Sequence, residues 1–148
     1  MPSTPTISLL TIIFVGLLIA TTLIRLWLGF RHIAHVQNNR GSVPVAFSGN
    51  ITLDAHQKAA DYTTAKSKLS LLEVIMQAAL LIALTLGGGL QWLDDIWRNY
   101  LPNQEIIRGA LLIVSAMLIS SLIDLPFDYY KTFGVEEKFD FNRYKPRI

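Results

Sequence analysis

The sequence predicts an all-α membrane protein with three transmembrane helices and a cytosolic helical extension of the second span. Hydrophobic residues make up 51% of the 148-residue chain and charged residues only 16%, whereas soluble domains carry roughly 25% charged residues. Mean hydropathy is +0.39, and a chain of this size has little interior in which to bury such an apolar excess. The apolar residues are also gathered into three long runs without charge.

The composition excludes several classes of protein. The chain contains no cysteine, which rules out disulfide frameworks, cysteine-ligated zinc, iron–sulfur clusters and thiol catalysis. The high apolar content also rules out a disordered chain, because disorder requires low hydrophobicity and high net charge.

The first span is predicted over residues 7–30. Residues 7–24 are free of charge, and about 20 helical residues cross a bilayer core about 30 Å thick. The span therefore reaches across the bilayer if the Arg25 side chain extends to the interface. The alternative is a cleaved signal peptide, but residues 1–6 lack the basic residues that such a peptide carries at its start. We expect a retained signal anchor.

Residues 31–70 are predicted to form a cytosolic loop followed by a helix. Asparagine, glycine and proline recur between residues 38 and 50, which is typical of a loop. We expect the helix to begin near Asp54, whose side chain can cap the first turn, with Gln57 three residues later. Residues 55–86 contain neither glycine nor proline, so the helix should run unbroken into the second span. Its polar part is either a solvated extension or a packing surface for a further domain.

The second span is predicted over residues 71–93, because residues 74–93 carry no charge. Ala79, Ala83 and Gly87 recur every four residues, a spacing that lets membrane helices approach closely. The glycines at 87–89 mark a place where the helix bends or ends. Glu73 and Gln77 lie one turn apart at the start of the span and are candidate intramembrane polar groups, although Glu73 at the edge can reach water.

The third span is predicted over residues 107–127. Its charge-free stretch, residues 109–123, is shorter than the other two and would also suit a buried helix of a soluble protein. The presence of two longer runs in the same chain favours a third span, in which Asp124 lies near an interface.

The basic residues predict the orientation of these spans. The segments before, between and after the spans contain 0, 6, 2 and 5 Lys and Arg residues. Because basic residues concentrate on the cytosolic side, we expect the N-terminus outside and a cytosolic tail over 128–148. The expected location is the bacterial inner membrane.

The remaining residue patterns indicate no metal site and no nucleic-acid surface. His32 and His35 are three residues apart, whereas a helical H-E-x-x-H zinc motif places its histidines four apart around a glutamate. We interpret them as a solvated pair beside the membrane. The basic residues do not cluster with aromatic residues as in a nucleic-acid surface, so the expected partner is the lipid bilayer.

The C-terminal third resembles a specific family. Residues 121–142 are similar to the stretch that follows the third membrane helix of the type I CAAX prenyl proteases, which are integral-membrane zinc metalloproteases. The matching residues are Leu125, Pro126, Tyr130, Thr132, Phe133, Glu136, Glu137, Lys138, Phe141 and Asn142. Residues 51–70 are similar to the beginning of the second helix in bacterial members. The resemblance covers essentially the whole chain and is strongest over 44–70 and 121–142.

Two departures from the family pattern limit what the resemblance implies. Asp140 stands where family members have glycine. The family places its zinc on an H-E-x-x-H helix and a later glutamate downstream of the Phe-Asn motif, whereas this sequence ends six residues after Asn142. We therefore expect a chain truncated before the catalytic motif and assign no catalytic, cofactor-binding or metal-binding residue within it.

The resemblance implies that the chain is the N-terminal membrane portion of a zinc-dependent endopeptidase and forms part of its helical chamber wall. The implied partners are a missing catalytic domain or other membrane helices, and zinc and a peptide or membrane-protein substrate belong to the full-length protein. One alternative is a stand-alone, non-catalytic membrane scaffold or assembly protein derived from that family. Another is a small transporter subunit in which Glu73 is the intramembrane polar group.

Overall fold

The computed structural model describes residues 8–139, and every regular element in that range is helical. The all-α prediction is therefore confirmed. The elements are α1 (Leu9–Asn38), a short 3₁₀ turn (Val45–Phe47), α2 (Leu53–Thr85), α3 (Gly89–Tyr100), α4 (Glu105–Tyr129) and a π-helical segment (Tyr130–Glu136) that continues α4. Within residues 8–139, three helices are long and apolar enough to cross a membrane: Leu9–Asn38, Leu53–Thr85 and Glu105–Glu136.

Helices α1 and α2 form an antiparallel hairpin. Helix α1 has 30 residues and is therefore roughly 45 Å long, longer than a bilayer core is thick. Leu71 of α2, which is 9% exposed, lies directly against Gly29 of α1, so that a Cβ atom at position 29 would force the Leu71 side chain to shift. Further along the hairpin, the Gln37 amide donates a hydrogen bond of 2.7 Å to the Thr64 hydroxyl. The two helices therefore approach closely at a glycine and are joined by polar contacts beyond it.

Helix α2 is capped two residues earlier than predicted. The side chain of Thr52, and not that of Asp54, caps the helix by accepting a hydrogen bond of 3.2 Å from the Ala55 amide. Asp54 lies in the first turn, where its charge complements the helix dipole. A side chain caps when it sits just before the helix and reaches an amide two or three residues ahead, and residue 52 has that position. The predicted unbroken helix is confirmed, since α2 runs for 33 residues.

The helix that carries the predicted second span, residues 71–93, ends before residue 93 because the chain turns at Gly88. Helix α2 stops at Thr85, and Gly88 has a φ of 78°, a left-handed conformation that favours glycine. A Cβ atom on Gly87 would lie 2.6 Å from the Ala83 carbonyl oxygen, so this position also requires glycine. Residues 89–93 therefore belong to the separate helix α3. The predicted bend at the three glycines is confirmed.

Helix α3 packs on α4 through two polar contacts and buries one leucine where the helices meet. Leu93 is 7% exposed, and the Trp97 indole donates a hydrogen bond of 3.0 Å to the Ser115 hydroxyl. The Asp94 carboxylate accepts from Arg98 within α3 and from Arg108 of α4, at 2.8 and 3.1 Å. The sequence predicts only a short connection between the second and third spans. The structure adds these contacts, which place α3 beside the start of α4.

The interior of the described chain is small, and its exterior is strongly apolar. The buried hydrophobic residues within 8–139 lie where helices meet: Ala60, Leu71, Leu93 and Val135. By contrast, Leu10 and Ile106 are 77% and 90% exposed. A folded chain with such an exterior requires lipid or further helices around it. Ala79 and Ala83 are also exposed, so the close helix approach predicted at these residues is not made by the described helices and occurs at Gly29 instead.

Candidate functional site

The two segments that carry the strongest family resemblance meet in the fold. The π-helical segment packs against α2, and Val135 is 5% exposed at this packing. The rings of Tyr62 and Phe139 meet edge to face, with centroids 5.8 Å apart, and the Lys138 charge helps to lower the pKa of Asp61. We call Asp61, Tyr62, Val135, Lys138 and Phe139 the motif junction.

The π-helical segment depends on residues that precede it and on residues within it. Pro126 lies inside α4, where it provides no amide hydrogen for the helical ladder, and the π-helical segment starts four residues later. Gly134 leaves room for the Tyr130 ring, because a Cβ on Gly134 would lie 3.1 Å from that ring. The rings of Tyr129 and Phe133 lie 4.8 Å apart. These residues set the direction in which the segment meets α2.

A bidentate ion pair joins the beginning of the α1–α2 loop to the motif junction. Arg40 donates from Nε and Nη2 to the two Asp61 carboxylate oxygens, at 2.7 and 2.8 Å. This hydrogen bonding lowers the pKa of Asp61, and the charges of Arg40 and Lys138 add to the effect, while burial opposes it. The same pair raises the pKa of Arg40. Asp61 is therefore a carboxylate at neutral pH, held between two cations from different parts of the chain.

The loop that Arg40 begins has a second attachment to α2. The His56 Nε2–H donates a hydrogen bond of 3.0 Å to the Asn39 carbonyl oxygen. Together with the Arg40–Asp61 pair, this contact fastens the loop to the first turns of α2. His56 thus has a structural partner.

The ten family-motif residues do not form one cluster. Leu125, Pro126 and Tyr130 are exposed, whereas Thr132, Phe133 and Glu136 are partly buried. Glu137 and Lys138 follow at the exposed end of the helix. Phe141 and Asn142, together with the unusual Asp140, lie outside the described residues. Among the described motif residues, the middle ones, Thr132, Phe133 and Glu136, are therefore the least exposed.

The two candidate intramembrane polar residues lie in different surroundings. Gln77 lines a groove between α1 and α2, together with Thr21 and Thr22. Glu73 is partly exposed one turn earlier and does not line that groove. The structure therefore does not bring them together into one polar site.

A second groove, of about 580 Å³, separates α2 from α4. Most of its lining is apolar, as at Leu81 and Met117, but Ser120, Ser121 and Asp124 line it too. An acidic residue in an apolar helix is costly and commonly functional. The sequence predicts that Asp124 lies near a membrane interface. The combination of an acidic residue with two neighbouring serines is the sequence pattern that indicates this groove.

The described residues offer no ligand set for a catalytic metal. Across residues 8–139, no group of three or more histidine, cysteine, aspartate or glutamate side chains is placed to hold a metal ion. His32 and His35 are both exposed on α1, and His56 bonds to the Asn39 carbonyl oxygen. Zinc therefore does not fit this part of the chain, and no reaction step is assigned to it.

Comparison with known proteins identifies relatives. Residues 32–148 match the family described as CAAX prenyl protease N-terminal, five membrane helices. The chain is 27% identical over 116 residues to the probable CAAX prenyl protease 1 of Schizosaccharomyces pombe, which covers 70% of this chain and 24% of the relative. It is 29% identical over 109 residues to the CAAX prenyl protease 1 homolog of Mus musculus, with coverage of 68% and 22%. The chain thus spans about a quarter of the length of these relatives. No solved structure matches it.

Proposed function

The chain belongs to the CAAX prenyl protease N-terminal family, and from this premise we propose that it forms part of the helical wall of a zinc-dependent CAAX-type membrane endopeptidase. The supporting observation is the motif junction, where residues from the two segments of strongest resemblance, 44–70 and 121–142, come into contact. The chain is a membrane-embedded multi-pass protein, as its three apolar helices and its family indicate.

The groove between α2 and α4 supports the assignment to a wall. A chamber wall in a membrane protease needs an apolar outer face toward lipid and some polar groups toward the inside. Ser120, Ser121 and Asp124 line the groove, whereas Leu118 and Leu122, which lie near them on α4 and do not line it, are 59% and 63% exposed. In this proposal the groove side of α4 faces the chamber, and the opposite side faces lipid or another helix.

The catalytic groups come from a separate catalytic portion in this proposal. The chain itself is not catalytic, and its described residues shape the wall and the motif junction. Zinc and the peptide or membrane-protein substrate belong to the complete enzyme. The chain lies in a bacterial inner membrane with its N-terminus outside, and the motif junction faces the cytosol.

Zinc content and peptide cleavage test the non-catalytic part of the proposal. We expect the purified chain to bind no stoichiometric zinc and to leave a farnesylated CAAX peptide uncut, because residues 8–139 hold no metal-binding group. The matched variant is His32→Ala/His35→Ala, which removes the nearest pair of histidines. About one zinc per chain, lost in this double variant, would overturn the proposal.

The DNA that follows the codon for Ile148 tests the link to a protease. A direct or shifted reading frame encoding H-E-x-x-H roughly 100 or more residues later supports a protease wall. The joined protein should then cleave the peptide, and Val135→Asp should reduce cleavage by separating the π-helical segment from α2. A stop codon followed by an unrelated gene would instead support the stand-alone scaffold.

A further inference from the structure

The seam between α1 and α2 contains a basic groove that the proposed function does not use. This upper groove has a volume of about 550 Å³ and is lined by Arg25, His32 and Lys66 together with the hydroxyl groups of Thr63, Ser67 and Ser70. Of the described residues that line it, none is acidic. The Lys66 ammonium lies 5.7 Å from the centre of the Tyr62 ring, which holds this cation beside the groove. The upper groove is therefore suited to an anion.

The upper groove lies where the hairpin crosses the membrane surface. Arg25 directly follows the charge-free residues of α1, and Lys66 lies eight residues before the charge-free run that starts at Val74. The predicted second span begins at Leu71, five residues after Lys66, so that Lys66 lies about 7.5 Å along the helix from it, and long basic side chains extend along such a surface toward the membrane interface. The anion is thus bound at the depth of lipid headgroups.

A lower groove continues the same seam into the apolar part of the hairpin. Its volume is about 320 Å³, and it shares Arg25 and Val74 with the upper groove. The hydroxyl groups of Thr21 and Thr22 donate to the carbonyl oxygens of Leu17 and Leu18, at 2.8 and 2.7 Å. Because these hydroxyls are satisfied within α1, the lower groove presents a mainly apolar surface, with Gln77 and Arg25 as its polar side chains.

We propose that this seam binds one anionic phospholipid, with its phosphate in the upper groove and an acyl chain in the lower groove. The phosphate lies between Arg25 and Lys66 and accepts hydrogen bonds from the Ser67 and Ser70 hydroxyl groups, whereas the Thr63 hydroxyl already donates to the Ala59 carbonyl oxygen. A free phosphate ion would leave the apolar lower groove unfilled. A zwitterionic lipid would bring a quaternary ammonium group among the basic side chains. An anionic phospholipid matches both grooves.

Native mass spectrometry of the full chain in a neutral detergent tests this proposal, with phosphatidylglycerol and phosphatidylcholine as probes. We expect phosphatidylglycerol to bind at least about tenfold more tightly than phosphatidylcholine, because juxtamembrane cations favour anionic headgroups. The variant Arg25→Gln/Lys66→Gln should weaken phosphatidylglycerol binding about thirtyfold, since two such cations are removed. Equal affinity for the two lipids would overturn the proposal.

A matched control separates the groove from overall charge. The variant Arg31→Gln/Lys68→Gln removes the same two charges from the same region, but neither residue lines the groove. It should leave phosphatidylglycerol binding within about threefold of the original value, because salt screens the attraction between the lipid and charges that lie outside the groove. An equal loss in both double variants would show that net charge, and not the groove, attracts the lipid. Circular dichroism confirms that each variant keeps its helices.

Filling the lower groove tests the acyl-chain part independently. Ala78 lines the lower groove, and Ala78→Phe should reduce phosphatidylglycerol binding while leaving the weak binding of soluble glycerophosphoglycerol unchanged. Undiminished lipid binding in this variant would contradict an acyl chain at that place. Inorganic phosphate that displaces phosphatidylglycerol at equal concentration would identify a free phosphate site and overturn the assignment to a lipid.

Discussion

Asp61 is the residue that connects the two halves of the motif junction electrostatically. Two parallel hydrogen bonds from Arg40 fix its carboxylate, and such bidentate pairs are strong and directional. Each side chain of the pair is 38% exposed, so water and salt weaken the attraction. The pair therefore acts mainly by holding the loop after α1 in one position against α2.

The lowered pKa of Asp61 predicts a loop that loosens in acid. A lowered pKa in the folded chain means that the ion pair contributes fully above about pH 4, the ordinary range of an aspartate, and is lost as the pH falls through the lower folded value. A spin label at Ser48→Cys, in the loop, should therefore become more mobile toward acidic pH. In Asp61→Asn the label should be mobile at every pH, because the carboxylate is gone.

The absence of native cysteine makes this label site-specific. The control is Asp95→Asn, which removes an exposed acid on α3 and should leave the label as in the parent chain. A label in Asp61→Asn that is as immobile as in the parent at neutral pH would show that Arg40 does not hold the loop.

At the scale of helices, the features that the sequence predicts are those that depend on which residue types occur along a single stretch of the chain. The unbroken α2 follows from the lack of glycine and proline over residues 55–86, and the turn at 87–89 follows from three glycines. Helix α3 was missed because its first residues are uncharged and extend the apolar run. Leu93 and Trp97, one turn apart and beside Asp94 and Asp95, were the signal of an amphipathic helix.

The π-helical segment was beyond prediction from local pattern. A π-helix is a rare variant with wider hydrogen-bond spacing, and its stability here depends on packing against α2, where Val135 is buried. Pro126 indicated only that the helix is disturbed near its end. Which side of the disturbed helix meets α2 is decided by tertiary contacts.

Replacing Pro126 tests the dependence of the π-helical segment on the proline. In Pro126→Ala an amide hydrogen returns to α4, and α-helical hydrogen bonding should extend through residues 130–136. A shift of one residue in helical phase rotates the following side chains by about 100°, which turns Val135 away from α2. Spin labels at Ala59→Cys and Glu137→Cys should then report a distance changed by several ångströms in double electron–electron resonance.

The comparison variant for this measurement is Pro102→Ala, in the exposed connection between α3 and α4. It should leave the distance between the two labels as it is in the parent chain. An unchanged distance in Pro126→Ala would mean that packing alone maintains the π-helical segment.

At the scale of the whole molecule, the family segments were predictable and their meeting was not. The residues over 44–70 and 121–142 carry the resemblance. No pattern in the sequence, however, predicts that Asp61 lies near Lys138 or that Tyr62 packs against Phe139. That contact results from the long extension of α2 beyond its apolar part and from the direction that α4 takes after Pro126. The exposed apolar exterior, by contrast, follows directly from the composition.

The distribution of basic residues predicts the arrangement of the whole chain in the membrane. Reporter fusions after Gln37, Asn103 and Ile148 should report cytosol, outside and cytosol, because six, two and five basic residues lie in the corresponding segments and basic segments stay in the cytosol. A fusion after Gly49, in the same loop as Gln37, should agree with the Gln37 fusion. An external reporter at Ile148 would contradict the predicted orientation.

The α1–α2 hairpin also implies an order of assembly during synthesis. Its contacts, from Gly29 with Leu71 to Arg40 with Asp61, all lie within the first 85 residues. Contacts between segments close in sequence form early because little chain entropy is lost in closing them. The hairpin therefore reaches its final form while α4 is still inside the ribosome or translocon. The π-helical segment, which emerges later, then docks on a surface of α2 that is already in place.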